Sequence, residues 1–424
     1  MLDQNRETLT PLVDQLLTLA ARPEEEAKKA LWARHNALQP GGKIDKIPVC
    51  LTFEYLSAPH WEQILGAGHL RCRGMLARHI ELDLRKRIWA ATHIPDDHVV
   101  WPALTVPAVH AADHLDWGVP LEWHGSGDAL GAQEIIAPFA AHIDLSRLCI
   151  PHTQVDEAAT ATRLAQASEL VDGRLPVHPL YQTLGESPFE YVVRMRGMAR
   201  IFYDVYDCPE QVHTLMAFVT DATLADYRRR EAHGWINSPP DPSGRYQMVP
   251  QWRHVAAYLP PDFAARGPRI SDEWPYISAQ SASGLSPAMY EEFVHRYNRQ
   301  IAALYTQGTV YYHGCERLDH KLDIIATLPN LRRHHVSPWS SIELAAQKYQ
   351  GRVVLEVHTN PTLIAFDASR EEMSAALQAR VDAADGHPMS LCLTDIHNLG
   401  HDLDSLRLWA EAAQEVACRP IHLS

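Results

Sequence analysis

Apolar residues in the first forty positions recur at helical spacing. Leu9, Leu12, Val13, Leu16 and Leu17 share a face, and Pro23 sets up a second helix through Gln39. Pro40-Gly41-Gly42 breaks the pattern, so residues 1–45 read as a helical extension. From there short apolar runs alternate with longer helical stretches. Strands are predicted at 48–54, 98–106, 174–180, 268–274, 309–315, 331–337, 352–358 and 390–395, eight in all. Several are apolar on successive residues, as in a parallel sheet buried on both faces.

The intervening helices carry start and stop signals. Asp156 opens one that closes near Gly173, and Pro209 opens one that ends near Gly234. Ser286-Pro287 begins another that runs to about Gln307, and Ser369 with Glu372 forms a capping box. Eight strand–helix alternations predict an α/β fold of the (β/α)₈, TIM-type barrel class, a single domain over 1–424, with an open doubly wound sheet as the alternative. Residues 237–268 hold seven prolines and read as a long insertion, either an active-site lid or a surface excursion.

Composition narrows the function. A net charge of −14 leaves no basic face for nucleic acid, and no apolar run approaches the roughly twenty residues of a membrane span. The start, MLDQNRETLT, lacks the features of a secretory signal. Seven scattered cysteines make a poor disulfide framework and suit a reducing compartment, so a cytoplasmic enzyme is expected. Its expected partners are a small-molecule substrate and a second copy of itself. The sequence has no phosphate-binding Gly-Lys-Ser/Thr loop, no G-x-S-x-G elbow and no H-E-x-x-H.

In a barrel, chemistry gathers at the carboxyl ends of the strands, which makes Tyr311-Tyr312-His313-Gly314-Cys315-Glu316 the most informative segment. Alternate strand residues share a face, so His313 and Cys315 point the same way, and imidazole with thiolate is a natural zinc pair. A third ligand must come from another strand end: Cys392 or Asp395, in and after the last predicted strand. The same pair also fits ordinary buried residues bonded inside a barrel mouth.

The chain resembles the uroporphyrinogen decarboxylase and corrinoid methyltransferase superfamily, in an uncharacterised bacterial branch. The resemblance rests on His313-x-Cys315, Val336-Ser337-Pro338-Trp339, Glu343 to Ala346, the Asn360-Pro361 turn and Leu393 to Asp395. Glu81-Leu82-Asp83-Leu84-Arg85, Pro95-Asp96-Asp97 and Ser271-Asp272-Glu273-Trp274 agree more loosely. It implies a barrel enzyme with zinc at His313, Cys315 and Cys392 or Asp395. It also implies methyl transfer between a corrinoid on a partner protein and a small molecule, in either direction. There are departures. The methyltransferase cysteine falls at Asp395, and Ser337-Pro338-Trp339 stands where relatives place an acid. Leu51-Thr52-Phe53-Glu54-Tyr55 lacks the arginine that porphyrinogen decarboxylases use to hold propionates, which argues against that reaction.

Asp395-Ile396-His397-Asn398-Leu399-Gly400 spells the D-x-H-x-x-G of corrinoid-binding domains. Only 24 residues follow Gly400, far fewer than such a domain requires, so the corrinoid is expected on a separate protein. Asp272, Glu273 and Glu316 are the candidate acids or bases, and Glu54, His178 and His358 the candidate substrate contacts. Alternative readings are a lyase, decarboxylase or hydrolase using an Asp or Glu acid on a small carboxylated substrate, and a non-catalytic binding protein.

Overall fold

The computed structural model describes residues 2–37, 46–53, 55–111, 117–125, 127, 133–185, 187–237, 266–267, 269–307, 309–400 and 403–418. Glu54, the proline-rich 238–265 and residues 38–45 of the extension lie outside these. Ten strands are present among the described residues: β1 (Val49–Leu51), β2 (Leu104–Pro107), β3 (Glu122–Gly125), β4 (Gln133–Ile136), β5 (Val177–Leu180), β6 (Tyr276–Ser278), β7 (Val310–His313), β8 (Leu331–Val336), β9 (Val354–His358) and β10 (Met389–Leu393). Six form a parallel sheet in the order β1-β10-β9-β8-β7-β6, and β2 pairs with β5 in a second parallel ladder. The antiparallel hairpin β3–β4 is an addition that the hydrophobic pattern does not announce.

The sheet is curved. Cys50 of β1 at one edge, Trp274 just before β6 at the other, and Tyr311 and Cys392 between them belong to one buried cluster. Trp32 fills its centre from the helix Pro23–Asn36, donating its indole N–H to the Asp97 carbonyl at 2.7 Å. The Arg333 guanidinium lies 5.8 Å from the Trp32 ring centre. The extension thus seals the amino-terminal side of the sheet. Its first helix, Leu2–Ala20, lays Leu9, Val13 and Leu16 against Ile80 and Leu84 of the helix Met75–His93, as their spacing requires.

The start and stop signals act as expected. Asp156 accepts from Ala159 N, Ser369 and Glu372 form a capping box, and Gly234 ends Pro209–His233 in the left-handed conformation with φ 72°. Seven predicted strand positions carry a strand, but 268–274 does not. There Asp272 accepts from Arg269 N and turns the chain into a 3-10 turn, Ile270–Asp272, with the strand following at Tyr276. A short polar side chain bonding its own backbone competes with a ladder. No helix among the described residues is long and apolar enough to cross a membrane.

Candidate metal centre

Along β7, β8, β9 and β10 the outward residues are largely apolar while the inward ones are polar, and nearly all are buried. The inward row holds Tyr311 and His313, Arg333 and His335, Glu356 and His358, then Ser390 and Cys392. His334, between Arg333 and His335, points outward and bonds the Tyr349 hydroxyl at 2.5 Å.

The lower tier is an ion-paired network. Arg333 Nη2 lies 3.6 Å from Glu356 Oε2 and donates to Ser390 Oγ at 2.6 Å, while Nη1 donates to Asn36 Oδ1 at 3.3 Å. Glu356 Oε1 accepts from the Tyr311 hydroxyl at 2.8 Å and from His358 Nε2 at 2.9 Å. Burial pushes the Glu356 carboxyl up. The His358 and Tyr311 bonds and the Arg333 charge outweigh it and hold the group below its usual range.

The upper tier carries the candidate ligands. His313 Nε2 is 3.1 Å from Cys315 Sγ, and His313 Nδ1 is 3.1 Å from the Tyr311 oxygen and 2.8 Å from His335 Nδ1. Tyr311 gives its proton to Glu356, so its oxygen accepts from His313 Nδ1–H, and Nε2 presents its lone pair beside the thiol. His335 stacks on His358 at 3.7 Å, and Tyr276 stacks on His313 at 4.5 Å. Burial, then the neighbouring histidines, holds His313 and His335 well below the usual imidazole range, in the neutral form that ligates metal.

One donor atom each from His313, Cys315 and His335 lies within 4.8 Å of the others, and Glu356, His358 and Cys392 form a second such group. Two imidazoles and a sulfur make a set compatible with zinc. In the second group Glu356 is already engaged by Arg333, Tyr311 and His358, so it serves best as support beneath the first.

This geometry rearranges the residues picked from sequence. Cys392 groups with Glu356 and His358, not with His313 and Cys315, because Cys392 lies opposite His358 in the β9–β10 register. Burial pushes its thiol well up. Asp395, just past β10 with φ 58°, belongs to neither group. His358 sits in the lower tier, bonded to Glu356 and to Thr394 Oγ1 at 2.8 Å. His178 is exposed on β5 and belongs to neither group. Asp272 is clamped by Arg266 at 2.8 Å and Glu273 by the buried Arg230 at 2.7 Å, so both acids are engaged structurally. Glu316 stays beside the centre with both carboxyl oxygens buried; burial pushes its carboxyl up, against the pull of the Lys321 charge.

Sequence reading missed His335, Glu356, Tyr311 and Tyr276. The signal was available in β8 and β9, where Arg333 with His335 and Glu356 with His358 are spaced two apart in buried strands.

No family model and no curated protein matches the chain. Among solved structures, a methyltransferase from Methanosarcina mazei is similar in fold, with TM-score 0.51 at 12% identity, covering 92% of this chain and 98% of that one.

Proposed function

We propose that the chain is a zinc-dependent methyltransferase on a closed (β/α)₈ barrel, moving a methyl group between a corrinoid on a partner protein and a small molecule. The observation that carries this reading is the convergence of His313, Cys315 and His335 at the carboxyl ends of β7 and β8. The curved sheet, the eight parallel strands and the likeness in fold to a methyltransferase support it.

Zinc held there would supply Lewis acidity that lowers the pKa of a coordinated thiol or water. The chain's own residues set the stage for that chemistry. Glu356 fixes Tyr311, Tyr311 fixes the His313 tautomer, and His313 Nε2 then faces Cys315 Sγ. Arg333 pairs with Glu356, which keeps that carboxylate committed to the network beneath the histidines. Tyr276 covers one face of His313 and excludes water from it. We place a corrinoid protein over the mouth of the barrel and the small molecule beneath it.

The test is metal content and methyl transfer from methylcobalamin to a panel of small acceptors. Wild type should hold about one zinc per chain. His313→Ala, Cys315→Ser and His335→Ala should each lose both metal and transfer, while Cys392→Ser keeps the metal. Metal-free wild type, purified without chelators, would overturn the reading.

A further inference from the structure

Two tyrosines stand side by side beneath the candidate centre, because Tyr276 of β6 lies opposite Tyr311 of β7. Their hydroxyls have different fates. Tyr311 is engaged below, giving its proton to Glu356 at 2.8 Å and accepting from His313 at 3.1 Å. Tyr276 leans the other way. Its backbone pairs with Tyr311, yet its ring centre is 4.5 Å from the His313 ring and 5.8 Å from the Tyr311 ring. The ring therefore rises toward the carboxyl ends of the strands. Its hydroxyl, at the far end, reaches past His313 toward the level of Cys315.

That hydroxyl is buried and has no hydrogen-bond partner among the described residues. A buried polar group in that state calls for a partner from outside the chain. A phenylalanine would cover His313 as well without burying an unpaired oxygen. Neighbouring hydroxyls are already used: Ser278 bonds Ser187 and Thr394 bonds His358, each at 2.8 Å. The Thr52 hydroxyl is likewise unpartnered among the described residues, but Thr52 stands past β1 with its amide on the Leu393 carbonyl, not beside His313. Burial first, then the Cys315 charge, keeps the proton on the Tyr276 phenol, so the group has a hydrogen to donate.

His313, Cys315 and His335 would give a zinc three protein ligands and leave a fourth position for an incoming molecule. We propose that the Tyr276 hydroxyl donates a hydrogen bond to the atom occupying that position, a sulfur or oxygen of the small molecule, and so fixes its place and selects its class. A thiolate sulfur or a carboxylate, alkoxide or water oxygen keeps a lone pair after binding a metal and can accept this bond. An amine or imidazole nitrogen has given its one available lone pair to the metal and cannot. The inference rests on the metal centre proposed above and adds to it a residue that touches the substrate.

The experiment loads the full chain with cobalt(II), whose visible spectrum reports its ligands, and titrates it with 2-mercaptoethanol, acetate and imidazole. Tyr276→Phe keeps the ring over His313 and removes only an oxygen that no described residue engages. It should fold, hold cobalt and show the wild-type spectrum before any probe is added. It should bind 2-mercaptoethanol or acetate about 10- to 100-fold more weakly, the loss expected for a hydrogen bond to a charged acceptor, with imidazole unchanged. A purely structural role would weaken all three probes together, or none. Equal losses across the probes, unchanged affinity for both 2-mercaptoethanol and acetate, or cobalt lost from Tyr276→Phe would each overturn the proposal. So would a cobalt-loaded wild type that takes up neither the sulfur nor the oxygen probe. In all of these the wild-type metal centre still stands. A wild-type chain that takes up no cobalt overturns the metal centre and this proposal together.

Discussion

Replacing Glu356 by glutamine tests the support beneath the centre. The carboxylate accepts two hydrogen bonds on Oε1, from Tyr311 and His358, and faces Arg333 with Oε2. A glutamine has one oxygen, and those two donors claim it. The amide NH₂ then points at the guanidinium, donor against donor, in a site where both residues are 0% exposed. Breaking a buried ion pair by removing one charge costs about 3–5 kcal/mol. Arg333 keeps Ser390 and Asn36 as acceptors, so the low end, about 3 kcal/mol, is expected. The assay is urea unfolding at pH 7 with matched m-values, for Glu356→Gln, Arg333→Met and the double variant. The double variant should recover part of the loss, because it buries no lone charge. Zinc affinity of Glu356→Gln should fall about 10- to 100-fold as the His313 relay loosens. A loss under about 1 kcal/mol together with unchanged zinc affinity would refute the reasoning.

Trp32→Ala empties the plug beneath Arg333 and should cost about 3–5 kcal/mol by the same unfolding assay. Gly314→Ala should lose metal and about 1–3 kcal/mol of stability, since a Cβ there would sit 2.6 Å from Leu318 Cδ1 and 3.1 Å from Glu316 Oε2. Burial holds His35 down to about 3 and His295 down to about 4 in the folded chain. The unfolded chain therefore takes protons first as pH drops below about 6.5, and stability, constant above that value, falls as pH approaches the folded values. Each histidine should contribute about 2 kcal/mol of loss at pH 5, and His295→Gln should flatten the slope; a urea midpoint equal at pH 7.5 and pH 5 would contradict this.

The fold was legible where two signals coincided. Strands such as Val354–His358 are apolar on one face and bounded by helices with clear caps, so position and burial followed together. Tyr276–Ser278 was misplaced because the Asp272 turn, which displaces the strand to the far side of Trp274, acts through a side-chain bond that periodicity does not encode. In the centre, His313 and Cys315 stood out because they share one strand end. His335 needed the parallel register of β8 against its neighbours, and the grouping of Cys392 with His358 rather than with His313 depended on the β9–β10 register. Alternation says which face a residue takes. It does not say which residue on the next strand lies beside it.

The pairing of β1 has a consequence for how the molecule comes to exist. Val49 lies opposite Leu391, and the Ile47 amide bonds the Ala417 carbonyl, so the first strand of the sheet finds its ladder only in a strand and a helix made far later, the last among the described residues. At ordinary translation rates that wait is on the order of tens of seconds. Throughout it an apolar strand edge and the underside of Trp32 stay without their final cover, open to pairing with other chains. Molecules stalled or truncated before β10 should therefore aggregate rather than persist as soluble fragments.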